Sequence, residues 1–581
     1  MYLVKVLSLL IIAIFLAVAL EAMTVNSVEK VSAVNSSFKE LSGNHKNYSK
    51  DVTLSEIIYT EKSTKGLMKL LVTNEEKTFK KIKHKKFIKK VYKKNRYAPI
   101  WFTYKGIKSK EVNDLFTAIK SDITLSSKGN IVKKYKLLKK TIANLKKDDE
   151  HKKLELDIKL SDLYRSYLGY HIYGAIPWGS FQRKLRYLRR NHIAANWVTY
   201  DPKYDIAELM FTHSLPEIIS ATTPNSFGYK KMMKELKRLK KVQKQGGWRK
   251  IHASSQLRYG KSGKAVRRLI NRLKSEGDYT CRGNDGHFGS CLKKAIKRFQ
   301  KRHGIGQTGT ITKYTLSKLN ISVNWKIEKI LLNLDRIKRL PDQPEDRYIM
   351  VNIPDFRLYY KENGREKLSM RVVVGDKKHH TPIFSNKISF IVLNPYWIIP
   401  DSIVQKEMIP KMLKNPDYLA QRGYEVHRSY NPNSAKINTK NINWARVLRN
   451  KQTKRYKFMQ PPGAKNALGK IKFKFPNRFS VYLHDTPAKK YFKKARRAFS
   501  HGCIRISRPN ALLATFAPHE RSVNFNRTQR VLRGNKKRQI NLSKHVPVHI
   551  VYLTAWIKND GLLHYRPDVY NYDTKQRRII Y

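Results

Sequence analysis

With 581 residues the chain has room for two to four domains, and 41% hydrophobic with 11% aromatic content excludes wholesale disorder. Lys and Arg number 120 against 43 Asp and Glu, a formal charge of +77, which favours polyanionic surroundings. The lysines are scattered through every region, which argues against a dedicated DNA-reading element.

In chain order, Lys5 precedes an apolar run from Val6 to Leu20, with small residues at Ala17, Ala19 and Ala22. This pattern predicts a secretory signal peptide over residues 1–22, or an uncleaved anchor of the same kind. The run is short for a membrane span, which needs ~20 residues, so no transmembrane domain is expected beyond this segment. Secretion turns the expected partners from nucleic acid to anionic envelope polymers. Residues 23–78 are polar and read as a loose linker. From 79 to 250 apolar residues recur at helical spacing; Leu156, Leu160, Leu163 and Tyr167 lie in one such segment, and a helical scaffold is predicted. Trp101, Trp178 and Trp197 are expected in its core.

Residues 251–321 form a separate helical module. Val266, Leu269, Ile270 and Leu273 follow the i, i+3, i+4, i+7 pattern, and Leu292, Ala295, Ile296 and Phe299 repeat it. A third short helix carries Leu316 and Leu319 behind a Thr310 or Thr312 cap. The chain has three cysteines. An odd count in a secreted protein suggests one pair plus one reactive thiol. Cys281 and Cys291 are the close pair, and a disulfide between them would stabilise by about 3 kcal/mol.

A helix over Trp325–Leu340, within residues 322–345, leads back toward the scaffold. The period then changes to that of strands. Tyr348–Ile353 and Phe356–Tyr360 are strand-like, Glu362-Asn363-Gly364 is a hairpin signal, and Leu368–Val374 returns. Phe390–Ile399, Phe479–Leu483 and Val546–Leu553 are further strands. Residues 346–555 are therefore mainly β, with an insertion at about 401–462, helical over Glu407–Leu413, folded over the site. Residues 556–581 are a C-terminal extension. The fold class is α+β and multidomain.

The chemistry concentrates in Ser500-His501-Gly502-Cys503-Ile504-Arg505, with His484 upstream. A lone cysteine is most often a small buried hydrophobe. Cys503, His501 and His484 as a metal set would lack a fourth ligand. As a nucleophile, Cys503 needs a base to take its proton, and an imidazole can later protonate a leaving amine. Gly502 permits a sharp turn and amides that face an oxyanion. Arg505 offers a fork for a carboxylate, or a structural ion pair. The thiolate and imidazole suffice for acyl transfer, so no metal or organic cofactor is required. In a papain-type protease the Cys would precede the His, which this chain does not follow.

His484-Asp485-Thr486 followed by Ser500-His501-Gly502-Cys503 resembles the L,D-transpeptidase (YkuD-type) catalytic domain. Tyr348–Asn352, Val372–Gly375, Thr381-Pro382, Asn394-Pro395-Tyr396-Trp397, Asn466-Ala467-Leu468-Gly469 and Tyr482–Pro487 are similar to segments of the large periplasmic members. Those carry a helical scaffold, an inserted peptidoglycan-binding module and a capping insertion. Leu257, Gly260, Gly263, Val266, Ala295, Phe299-Gln300 and Gly304 resemble that three-helix module. Arg505 stands where many single-domain relatives have Asn.

The resemblance implies that Cys503 attacks the third residue of a peptidoglycan stem, expels D-alanine and forms a thioester. A second stem's amine then completes a 3→3 cross-link. It makes His484 the base and acid, with Asp485 as its orienter and His501 as support or alternative base. The Gly502 and Cys503 amides, with the Tyr482 hydroxyl, are the implied oxyanion donors; Trp397 and Arg505 line the substrate cleft. It also implies a periplasmic setting in a diderm bacterium. The same thioester could serve hydrolysis, D-amino-acid exchange or attachment of an envelope protein, and a wall-tethering protein with an idle site is the reading from another class.

Overall fold

The computed structural model describes residues 62–580 apart from 74–76, 104–105, 146–148, 284 and 342–345. The expected signal peptide and residues 23–61 of the expected linker lie outside the described residues. The rest of that linker needs correction, because Lys62–Thr73 is an α-helix. Its Met68, Leu71 and Val72 fall on one face and are buried. No helix among the described residues is long and apolar enough to cross a membrane.

The chain divides into two compact units. The first, running to Ile172 with Lys203–Thr223, is helical. Its long helix Glu150–Tyr173 carries a buried carboxylate, Asp157. That group accepts the amides of Ile100, Trp101 and Phe102 and the Tyr92 hydroxyl, while the Trp101 indole donates to Ser161 at 2.8 Å. A buried charge with four donors is tolerable; without them it would not be.

The second unit comprises Tyr173–Pro202 and Pro224–Tyr581. Within it, helices Lys264–Ser275, Ser290–Arg302 and Lys313–Leu319 bury the predicted apolar sets in one cluster. Thr312 is the cap of the third, accepting from the Thr315 amide. Cys281 and Cys291 are disulfide-bonded, their Cα atoms 6.5 Å apart. Helix Val323–Ile337 follows, and its Asn333 and Arg336 bond to Thr554, Tyr552 and Gln576.

The β region contains twelve strands from residue 347 to 551. We number them β1 (Arg347–Asn352), β2 (Arg357–Glu362), β3 (Arg365–Gly375), β4 (Phe384–Leu393), β5 (Trp397–Ile398), β6 (Glu425–His427), β7 (Lys457–Gln460), β8 (Ile471–Lys474), β9 (Leu483–His484), β10 (Ala498–Ser500), β11 (Ile504–Ile506) and β12 (Arg538–Val551). The main sheet runs β10-β3-β11-β9-β8-β4-β12-β1-β2, and β2 pairs with the first half of β3, closing the sheet on itself. Asn363 and Gly364, both left-handed, make the β2–β3 hairpin turn.

Two expected strands are shorter than predicted. Phe479–Leu483 contributes only Leu483 and His484, because the Asn477 side chain bonds Phe475, Phe479 and Val481 and holds that stretch as a turn. Phe390–Ile399 breaks at Asn394, whose φ is +47°. Strands β5, β7 and β6 instead form a small sheet under the insertion, with a hydrophobic cluster of its own around Met408, Ile409, Trp444 and Phe458. Trp178 and Trp197 are buried, in the β region's core rather than a separate scaffold core.

Candidate active site

Three adjacent strands build the site. β8 reads Ile471-Lys472-Phe473-Lys474, a period of two, and Phe473, Leu483, Ile504 and Ile506 point into the core, wholly buried. In register, His484 pairs with Arg505 on one side and Lys472 on the other. Side chains of paired residues share a face, so Lys472, His484 and Arg505 emerge together opposite the core. Alternation adds Lys474, Tyr482 and Cys503 to that face.

Cys503 follows the turn Ser500–Gly502. The Ser500 hydroxyl donates to the Cys503 carbonyl at 2.5 Å and receives the Gly502 amide at 3.3 Å. Gly502 has φ +108°, a conformation that disfavours any residue with a Cβ. The Gly502 amide, expected at the oxyanion, is therefore turned inward in this structure. The Cys503 sulfur is partly accessible and lies 3.8 Å from the Ser480 carbonyl. Its surroundings push the thiol above the ordinary value through burial, against the Tyr482 amide and hydroxyl and the Lys472 and Lys474 charges, which favour the thiolate.

His484 is buried, and its Nδ1–H donates to the Asp485 carbonyl at 2.5 Å. Since a carbonyl only accepts, the lone pair is left on Nε2. Burial, then the Arg505 charge, lowers its pKa to about 3, so the imidazole is neutral. Asp485 orients it through the backbone alone. The Asp485 carboxylate serves the neighbouring loop, taking the Lys470 amide and the Lys489 ammonium. Gly469, at φ +59°, must be glycine, because a Cβ would meet that carboxylate at 2.4 Å. No hydrogen bond joins His484 to Cys503 among the described residues, and catalytic contacts are often long before substrate binds.

His501 leaves this group. Its Nε2 pairs with Glu407 Oε1 at 2.6 Å, on the insertion, and its ring lies 4.6 Å from that of His379. Trp397 sits at the root of the insertion on β5, half-buried against Tyr424 at 6.1 Å. Cys503, His484 and His501 are not gathered into a metal-binding cluster among the described residues.

Arg505 lies beside Cys503 with no carboxylate partner among the described residues. Its buried Nε has no hydrogen-bond acceptor, and its contact is the Tyr491 ring at 5.9 Å. The structural ion pair considered for it is therefore not formed. A guanidinium so placed is set to receive an anion.

Several residues here carried no assigned role in the sequence, although Thr381 belongs to one of the segments that bear the family resemblance. Thr381 bridges the site: its hydroxyl accepts from the Gly375 amide and donates to the Gly502 carbonyl, each at 2.8 Å. Tyr570, from the C-terminal extension, donates to the Gly375 carbonyl at 2.7 Å. Lys472 holds its ammonium 3.9 Å from the centre of the Tyr482 ring. The Ile-Lys-Phe-Lys-Phe alternation of residues 471–475 was the signal that would have found β8.

Residues 86–236 match a family described as "Scaffold domain", 262–319 one described as "Putative peptidoglycan binding domain", and 346–519 the L,D-transpeptidase catalytic domain of the YkuD type. A Haemophilus influenzae protein described as "Putative L,D-transpeptidase" is 32% identical over 246 residues, 42% of this chain and 48% of that one. The match thus spans about half the relative's length. Among solved structures, an L,D-transpeptidase from Stackebrandtia nassauensis aligns at 15% identity over 52% of this chain and 96% of its own, with TM-score 0.20. One from Mycobacterium smegmatis aligns at 12% over 36% and 58%, with TM-score 0.18.

Proposed function

We propose that this chain, which carries an L,D-transpeptidase catalytic domain beside scaffold and peptidoglycan-binding domains, forms 3→3 peptidoglycan cross-links through a thioester on Cys503. The observation that carries the reading is one sheet face presenting a thiol, a neutral imidazole held through Nδ1 and a guanidinium with no carboxylate partner among the described residues.

The donor is a tetrapeptide stem. Cys503 Sγ attacks the carbonyl of its third residue as His484 Nε2 takes the thiol proton. The bond to D-alanine then breaks, and the imidazolium returns that proton to the leaving amine. An amine on a second stem attacks the thioester, gives its proton to His484 and expels the thiolate. His484 is the base, because Glu407 on the insertion engages His501. The Tyr482 amide and hydroxyl, which already face the sulfur, are placed to oppose charge developing beside it. Arg505 receives a stem carboxylate. The work takes place in the periplasm, where the peptidoglycan-binding module keeps the enzyme on its polymer and the +77 charge attracts anionic envelope polymers.

The test is mass spectrometry of products from disaccharide-tetrapeptide with purified protein and Cys503→Ala. Cys503-dependent loss of D-alanine with a 3→3 dimer supports the reading. Loss without dimer assigns hydrolysis, and binding to sacculi without turnover assigns tethering.

A further inference from the structure

Lys472 and Lys474 are not needed by the mechanism above, yet both lie on the reactive face. β9, with Tyr482 just before it and His484 on it, is flanked by β11 on one side and β8 on the other. Arg505 therefore stands in one column and Lys472 and Lys474 in another. The Lys472 ammonium is 3.9 Å and that of Lys474 5.6 Å from the Tyr482 ring centre, so both side chains lean toward the nucleophile rather than outward.

Neither lysine has a carboxylate partner among the described residues. The charged and titratable groups facing Lys472 are Lys474, Lys537 and Cys503, with His484 and Tyr482 between them. Burial, with the Lys474 charge, draws the Lys472 amine down to about 8. Like charges held together, half-buried and unneutralised, are unfavourable in the free protein. An anion bound among them removes that penalty.

Arg505 and the two lysines stand two strand spacings apart, roughly 10 Å at the backbone, and their head groups turn to different rings, the guanidinium to Tyr491 and the ammoniums to Tyr482. Two anionic groups on one donor fit both columns.

We propose that Lys472 and Lys474 form a second carboxylate subsite, across the His484 strand from Arg505, and that the enzyme therefore selects donor stems carrying at least two free carboxylates over amidated ones. This deepens the transpeptidase reading and rests on it. The lysines are specificity residues, and His484 and Cys503 carry the bond changes.

The experiment uses full-length protein and disaccharide-tetrapeptide donors in which each stem carboxylate is amidated in turn. D-alanine release and the Cys503 thioester are followed by mass. For wild type, amidation of one particular carboxylate should lower kcat/KM about 10- to 100-fold, the range for a charged hydrogen bond. In a Lys472→Met/Lys474→Met variant that donor and the free one should react equally, while sensitivity to the carboxylate held by Arg505 persists. Lys472→Arg should keep the preference. The proposal is overturned if wild type treats all donors within twofold, or if the double variant retains the full penalty. If no donor acylates Cys503 at all, the transpeptidase reading itself falls, and this one with it.

Discussion

Thr381→Val tests how the loop before Cys503 is held. Valine keeps the shape and removes the hydroxyl, so the Gly375 amide loses its acceptor and the Gly502 carbonyl its donor. All three residues are buried, Thr381 at 0% exposure. Each buried group left without a partner costs roughly 1–3 kcal/mol, so the substitution should destabilise the catalytic region by about 2–6 kcal/mol. Thr381→Ser keeps the hydroxyl and loses one methyl, about 1 kcal/mol. Urea titration followed by tryptophan fluorescence gives the stability difference, and the rate of Cys503 acylation gives the effect on the loop. Valine should lower both, serine neither by much. Equal midpoints for the two variants, or a destabilised valine variant with a wild-type acylation rate, would refute the claim that this hydroxyl positions the turn before Cys503.

Other expectations concern the charges. Alkylation of Cys503 by iodoacetamide should follow a single ionisation above 9, the ordinary thiol value, because burial raises it; saturation near pH 7 would contradict this. Arg505→Met should slow acylation while leaving stability unchanged or higher, since it removes an unpaired, partly buried cation; a clear fall in the urea midpoint would restore the ion-pair view. His484→Ala should abolish acylation, whereas His501→Ala should retain most of it; the reverse order would move the base. Buried His380, His484 and His549 have pKa values lowered to about 4, 3 and 4. In the unfolded chain they take protons near 6.5, so the unfolded state binds more protons as pH falls. Stability should therefore drop by about 2 kcal/mol per histidine between pH 6.5 and 5. His549→Phe should recover part of that loss, and no loss in wild type by pH 5 would sink the account.

What could be read from the sequence followed the strength of its local patterns. The helices at 264–275 and 290–302 were legible because Val266–Leu273 and Leu292–Phe299 leave no doubt about their buried face. The Cys503 turn was legible because its residue types are chemically unusual together. The bridging roles of Thr381 and Tyr570 were not, since a threonine and a tyrosine acquire them only when closure of the sheet brings Gly375, Gly502 and the C-terminal segment together. His501 was left between two roles for a similar reason: its partner, Glu407, lies on an insertion whose docking no local pattern encodes. The Phe479–Leu483 strand failed because one polar side chain, Asn477, outweighed the apolar run after it.

The disulfide bears on how the chain matures. Three thiols compete whenever oxidation precedes folding, and Cys503 is the one the proposed chemistry needs reduced. Cys281 and Cys291 are separated by 10 positions, while Cys503 lies more than twenty times farther along from Cys291. Ring closure in a disordered chain becomes harder with the logarithm of its length, a difference of about 3 kcal/mol here. Chain statistics alone thus steer the oxidant to the near pair by roughly a hundredfold. The reactive sulfur is spared while the chain is still unfolded and nothing yet shields it.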